Sequence, residues 1–271
     1  MNKLRLAGTI WIASDIHLGP NTPATARAFH QFLDKACAQA DALILCGDLF
    51  DAWIGDDLAL SSPPPWLAET LEKFHQVAKK IPLWLGRGNR DFLMGPVLAE
   101  HVGAQVLPDQ VCLNTDAGAI LLSHGDEYCT ADRNYQRFRR IVRCPAVQWL
   151  FLKLSLRARR GIADLARKRS MASNRDKPVS IMDVSPSAIE RAFSSVDADI
   201  MIHGHTHRPA MHRLMVGGRM RSRHVLPDWD YDHAGSARGG WLVINADGIS
   251  HEDSHPQQAR QTAPDQASKS N

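Results

Sequence analysis

Asp15 and His17, two residues apart, place a carboxylate and an imidazole on one short stretch of chain. Related chemistry recurs in four further blocks: Gly47-Asp48, Gly88-Asn89-Arg90-Asp91, Ser123-His124-Gly125-Asp126 and His203-Gly204-His205-Thr206-His207. Imidazole, carboxylate and amide oxygen without thiolate suit a borderline divalent ion such as manganese, iron or zinc. The candidates Asp15, His17, Asp48, Asn89, His124, His205 and His207 are too many for one ion that must keep a water. They suit two ions sharing a bridging carboxylate. Such a pair, about 3.5–4 Å apart, activates a hydroxide and clamps phosphoryl oxygens during in-line displacement. The glycines let the backbone turn sharply beside the metals.

Each block alone has a plainer explanation. Asp-x-His is common, Gly-Asp after a strand is usually a turn, and a lone Asn in a loop usually bonds its own backbone. His124 alone reads as a hydrogen-bonded histidine, and His205 with His207 as a chance pair. The conjunction outweighs these readings, because every block follows a predicted strand.

The elements that must position the blocks can be read from periodicity. Ile10–Ala13, Ala42–Cys46 and Ile81–Leu85 are short apolar runs, two of them stopped by Gly47 and Gly86. Residues 22–38 and the segment opened by Pro63-Pro64-Pro65 carry apolar residues at helical spacing. Strand alternating with helix predicts βαβ units and a mainly parallel sheet, which binds ligands beyond the carboxyl ends of its strands. A hairpin follows at 111–114 and 119–123, then a helical block over about 130–180. A helix near 186–195, a strand at 199–202 and antiparallel strands over 211–253 complete the pattern. Residues 254–271 have almost nothing to bury and read as a disordered tail.

The 271 residues are 44% apolar and 23% charged, values that exclude a fibre or a wholly disordered chain. Five cysteines without a C-x-x-C give neither a disulfide framework nor a zinc ribbon, and point to a reducing compartment. No run of 18 apolar residues occurs, so no membrane span is expected. The N-terminal stretch from Lys3 to Ala13 reads as a first strand and not as a signal segment.

The five blocks, in this order over residues 10–250, resemble the calcineurin-like metallophosphoesterases. That resemblance implies an α/β fold, α+β in places: a four-layer αββα sandwich with a helical cap insertion. It implies a single domain over 1–253, with the cap at about 130–180. It also implies that Asp15, His17 and His207 hold one metal, that Asn89, His124 and His205 hold the other, and that Asp48 bridges. His203 has no ligand role in the pattern. The extended motifs Gly47-Asp48-Leu49-Phe50-Asp51-x-Trp53, Gly88-Asn89-Arg90-Asp91-Phe92, Tyr135-Gln136-x-Phe138-Arg139 and His203 to Pro209 are similar to the UDP-2,3-diacylglucosamine diphosphatase family of lipid A biosynthesis. That similarity implies hydrolysis to UMP and 2,3-diacylglucosamine 1-phosphate, by a hydroxide attacking the uridine-side phosphorus. It favours manganese as the ion. Asp48, Asn89, Arg90 and His205 would be catalytic. Asn89, Arg90, Asp132, Tyr135, Ser170, Asn174, Lys177 and His205 would contact substrate. The alternatives are another phosphodiesterase or phosphatase acting on nucleotides, phosphoproteins or nucleic acid, or a non-catalytic scaffold on the same fold.

Charge is concentrated in one place. Residues 131–178 hold eleven Arg and three Lys against three Asp, a net of +11 in a chain of net +3. Inside lies the apolar run Val147 to Leu156, too short to span a bilayer. Three readings compete: a solvated insertion whose Leu and Trp face the core, a nucleic-acid surface, and a basic cap. The cap would hold an anionic diphosphate, offer acyl chains an apolar groove and rest on an anionic membrane. The resemblance favours the cap. It implies a cytoplasmic enzyme held peripherally at the inner membrane of a Gram-negative bacterium.

Overall fold

The computed structural model describes residues 1–175, 181, 183–233, 235 and 237–254. Two six-stranded sheets lie face to face. In the first, the order is β12 (Gly248–Asp253), β11 (Gly240–Asn245), β2 (Ile10–Ala13), β3 (Ala42–Leu45), β4 (Leu83–Leu85) and β5 (Gln105–Val106). β2 to β5 run parallel, and β11 lies antiparallel to β2. In the second, the order is β1 (Asn2–Arg5), β6 (Gln110–Thr115), β7 (Gly118–Ser123), β8 (Ile200–His203), β10 (Arg219–Val225) and β9 (Ala210–Val216).

The alternation of side chains along a strand explains the layering. Ile10 and Ile12 of β2 join Ile44, Val111, Leu113, Ile120, Leu122 and Ile202 in the core between the sheets. Trp11 and Ala13 point the other way. They meet Phe29, Phe32 and Leu33 of α1 (Pro23–Gln39), Leu67 and Phe74 of α3 (Pro65–Ala78) and Leu98 of α4 (Pro96–Val102). On the far side of the second sheet, Leu121 and Met201 pack on Ile189 and Phe193 of α8 (Pro186–Ser194). The result is the expected αββα sandwich. Each large side chain sealed in these layers contributes about 1.5–3 kcal/mol.

Two sequence expectations need correction. The N-terminal stretch forms two strands, because Gly8, at φ 80°, turns the chain and sends β1 into the second sheet beside β6. The strand-ending blocks also do not share one mainly parallel sheet. β2, β3 and β4 carry three of them and β7 and β8 the other two, from facing sheets. Periodicity shows that a strand exists but not which sheet it joins. α4, β5 and the short α2 (Asp57–Leu60) had no place in the sequence pattern.

After β7 the chain enters α5 (Arg133–Val142), α6 (Pro145–Leu152) and α7 (Leu156–Arg175). None of the residues of α5 or α6 is buried. Arg159 of α7 is an exception to the exposed character of this block. It is 2% exposed and donates to the Ile54 carbonyl and the Asp57 carboxylate. It anchors α7 to the loop after β3. The reading in which Leu and Trp of this block face the core fails, since Trp149 and Leu150 are 63% and 64% exposed. Among the described residues no helix is long and apolar enough to cross a membrane, and all five cysteines are free. Ser254 is described; the rest of the expected tail, 255–271, lies outside the described residues.

Candidate active site

Five loops leave the carboxyl ends of β2, β3, β4, β7 and β8 and converge. Backbone pairing continues past the strands: Asp15 N donates to Gly47 O at 3.1 Å, His17 N to Asp48 O at 3.0 Å and Gly204 N to His124 O at 2.8 Å. Asp15, His17, Asp48, His205 and His207 all have φ between 52° and 67°. Non-glycine residues avoid this left-handed region, and such strain gathers at functional sites. Here the local turn swings each side chain back over its strand end. His205 and His207 therefore lie in a loop, not on a strand. Two glycines are required for space. A Cβ on Gly88 would lie 2.0 Å from Asp48 Oδ1, and one on Gly204 would lie 2.2 Å from Asp15 Oδ2.

The seven candidate ligands fall into two groups around Asp48. In the first, Asp15, His17 and His207 present ligand atoms all within 4.8 Å of one another. His207 Nε2 lies 3.3 Å from both Asp15 Oδ1 and His17 Nε2. In the second, Asn89 Oδ1 lies 3.2 Å from His124 Nε2 and 2.8 Å from His205 Nδ1. Asp48 turns Oδ2 toward His17 at 4.0 Å and Oδ1 toward His124 at 3.7 Å. One carboxylate thus addresses both groups.

The surrounding groups fix these side chains. His124 Nδ1 donates to Cys46 O at 3.1 Å, which leaves Nε2 for the centre. Ser14 Oγ donates to Asp15 Oδ2, and His205 N donates to the same carboxylate. The buried Asp91 accepts from Gly88 N at 2.7 Å, Leu49 N at 2.6 Å and Asp48 N at 3.2 Å, so it pins the loop that carries Asp48. Asp126 accepts from Tyr135 Oη at 2.5 Å and Arg139 Nε at 2.7 Å. Asp91 and Asp126 stood inside the sequence motifs but drew no role there. Asp228, which lies 3.4 Å from His207 Nδ1, carried no signal at all. Only the fold brings the β10–β11 connection to the site.

Electrostatics separates the groups sharply. Burial pushes Asp48 up to about 7, His17 down to about 3 and His205 down to about 4. Burial also works against a charged His124, but Asp48 and Asp15 outweigh it and raise His124 to about 9. For His207, burial is likewise outweighed, by hydrogen bonds and charge from Asp15 and Asp228, and the value rises to about 10. Asp15 is held far below the usual carboxylate range, because His207 overcomes its burial. Such opposed shifts in one small volume mark a functional site. They also fit cations: His17 Nδ1 is buried with no hydrogen-bond partner, and ring nitrogens of His17 and His207 face each other. The donor set is oxygen and imidazole nitrogen, suited to borderline divalent ions.

The expected substrate residues are placed unevenly. Arg90 N donates to Asp48 Oδ1 at 2.8 Å, and its guanidinium is half-exposed beside Asp51. Tyr135 stacks on His205. Asp132 accepts from Tyr135 N at 3.0 Å as the N-cap of α5. Ser170 and Asn174 fall within α7, but their side chains lie outside the described residues, as does Lys177. The buried His203 hydrogen-bonds to groups outside the seven candidate ligands. Its Nδ1 donates to Gly204 O and its Nε2 accepts from Arg223.

The sequence pattern of the calcineurin-like phosphoesterases matches residues 8–209. The chain belongs to that family. This calcineurin-like phosphoesterase is 56% identical over 249 residues to the UDP-2,3-diacylglucosamine hydrolase of Bordetella parapertussis, covering 92% of this chain and 96% of that one. It is 42% identical over 235 residues to the enzyme of the same name from Shewanella baltica, covering 87% and 92%. The chain is therefore a metal-dependent hydrolase of bonds to phosphorus, and the Asp/His cluster is its candidate divalent-metal centre.

Proposed function

We propose that the chain hydrolyses the pyrophosphate bond of UDP-2,3-diacylglucosamine to UMP and 2,3-diacylglucosamine 1-phosphate. The observation that carries the chemistry is Asp48, set between two ligand groups with one oxygen toward each. The substrate is carried over from the Bordetella and Shewanella relatives, both named UDP-2,3-diacylglucosamine hydrolase.

Asp15, His17 and His207 would hold one divalent ion, and Asn89, His124 and His205 the other, with Asp48 shared. The resemblance makes manganese the first choice. Ions bound there lower the pKa of water and polarise phosphoryl oxygens. Arg90, next to Asn89 and half-exposed at the rim, supplies a fixed cation for the charge that builds on the phosphoryl group. Asp91 and the strained loop hold Asp48 before substrate arrives, so little reorganisation remains. The leaving group is a sugar phosphate, stable as an anion, so protonation by a strong general acid is not required.

Residues 1–253 serve as one phosphoesterase domain, and the block at about 130–180 as its cap. The exposed apolar side chains Phe138, Ile141, Trp149, Leu150 and Leu154, among many arginines, support a surface for acyl chains and for an anionic bilayer face. A peripheral place on the cytoplasmic side of the inner membrane follows from that reading.

The test is hydrolysis in ¹⁸O-labelled water by the purified manganese-loaded protein. Label should appear in UMP and not in the acylated sugar phosphate, and UDP-N-acetylglucosamine should be cleaved poorly. Equal cleavage of both UDP-sugars would return the assignment to an unspecified phosphodiesterase.

A further inference from the structure

The first residues of the connection from β10 to β11, 226–229, run beside the first ligand group. Leu226 N donates to His203 O at 2.8 Å, and Trp229 N donates to Asp15 O at 3.0 Å. Between them, Asp228 is 4% exposed, and its Oδ2 lies 3.4 Å from His207 Nδ1. The same oxygen accepts from Arg238 Nε at 2.9 Å and Nη2 at 2.7 Å. Arg238 is held in turn, because its backbone pairs with Asp230 in both directions at 2.8 and 3.0 Å. Farther along, Asp232 accepts from Ala24 N, Thr25 N and Thr25 Oγ1 at the start of α1.

A buried carboxylate is costly unless its partners require it there. Arg238 is half-exposed and would be served equally well by a carboxylate in solvent. What Asp228 gains in its buried position is the His207 ring. That ring has only two nitrogens. Nε2 faces Asp15 and His17, and Nδ1 faces Asp228. An acceptor at Nδ1 settles which nitrogen keeps its hydrogen, orients the ring and makes Nε2 a stronger donor.

We propose that Asp228, clamped by Arg238, is the positioning residue that aims His207 Nε2 at the ion shared with Asp15 and His17. The inference rests on reading those three residues as ligands. Asp228 touches neither substrate nor ion; it acts through His207.

Calorimetric titration of the metal-free full chain with Mn²⁺ alone tests it. Wild type should bind two ions. Asp228→Ala should weaken one of them by about 10–100-fold, the usual effect of losing such a partner, and leave the other unchanged. Asp228→Asn keeps an acceptor oxygen without the charge and should fall between. It also serves if the alanine variant folds poorly. Arg238→Ala should weaken the same ion by less. Asp232→Ala removes the cap on α1 and should lower Tm without changing either affinity, which separates a structural effect from a positioning one. In the zinc-loaded protein, the His207 Nδ1–H proton signal should shift upfield in Asp228→Ala. Two ions bound as in wild type by Asp228→Ala would overturn the proposal. So would equal weakening of both ions together with a fall in Tm like that of Asp232→Ala. If His207→Ala binds both ions normally, the ligand reading itself fails instead.

Discussion

The Tyr135 ring lies over the His205 imidazole, with centroids 6.0 Å apart and planes 25° from parallel. Its hydroxyl reaches past His205 to Asp126, which stands two residues after His124. Gln136 of the same helix donates to Asp126 O at 2.9 Å, and Arg139 to the Asp126 carboxylate at 2.7 Å. Three residues of α5 therefore grip the loop that carries His124, and one ring covers His205. The helical block is fastened again by Arg159, near the start of α7. The ligand groups and the block above them cannot move independently without breaking these contacts.

Asp126→Ala should therefore cost stability and activity together. The substitution leaves Arg139 and the Tyr135 hydroxyl without their buried acceptor, a loss of about 2–4 kcal/mol. Urea unfolding of the metal-free protein measures it. An m-value equal to wild type would show that the loss is local to the native state. Tyr135→Phe removes one hydroxyl and should cost only about 1 kcal/mol.

Asp48→Ala should abolish turnover and lower the occupancy of both ions. The reason is the 4.0 and 3.7 Å approaches of its two oxygens to opposite groups. Elemental analysis of dialysed protein gives the occupancy. Two ions retained per chain would contradict the shared role.

Arg90→Ala should lower kcat/KM by about 100-fold, the scale for losing one preorganised charge-stabilising donor. Tm should barely change, because the guanidinium is half-exposed and its 3.3 Å pair with Asp51 is a weak surface contact. A large fall in Tm with normal kinetics in the folded fraction would make Arg90 structural.

Metal affinity should rise with pH up to about pH 9–10. In the metal-free protein His124 and His207 titrate near 9 and 10, so both carry a proton at pH 7 that an ion must displace. Asp48, raised to about 7, is also partly protonated, so the uptake of Mn²⁺ should release about two to three protons, read as a buffer-dependent calorimetric heat. The sign for stability is opposite. Both values lie above the unfolded 6.5, so these imidazoliums contribute stability to the metal-free protein that is complete below pH 6.5. It is lost as pH rises through 9 and 10.

Much of this site was legible in the sequence, for a physical reason. Each ligand candidate directly follows a run of strand-forming residues, as Asp48 follows Ala42–Cys46, and strand ends are where chemistry collects in α/β folds. The helices α1 and α3 were equally plain, both from their apolar spacing and α3 also from the prolines that open it. What could not be read was partnership across the fold. Asp228 meets His207 from 21 positions away in a connection with no periodicity. β1 and β2 belong to different sheets, although only a short turn separates them. Sequence spacing encodes local geometry, and these are long-range contacts.

The exposed apolar side chains of α6 set the last prediction. Trp149 and Leu150 are adjacent and more than 60% exposed, and Lys153 lies 5.2 Å from the Trp149 ring. A soluble monomer gains nothing by exposing them, and the basic residues around them favour an anionic surface. Burying either side chain in a bilayer interface is worth about 1.5–3 kcal/mol. The double variant Trp149→Ser, Leu150→Ser should therefore bind vesicles of anionic phospholipid at least about 10-fold more weakly in sedimentation. Tm should stay unchanged, because neither side chain packs on the core. Added salt should weaken wild-type binding further, through the arginines. With substrate presented in vesicles KM should rise, while kcat in detergent should hold. Vesicle binding equal to wild type would mean that these residues serve the acyl chains of the substrate alone. In that event KM should rise in detergent as well.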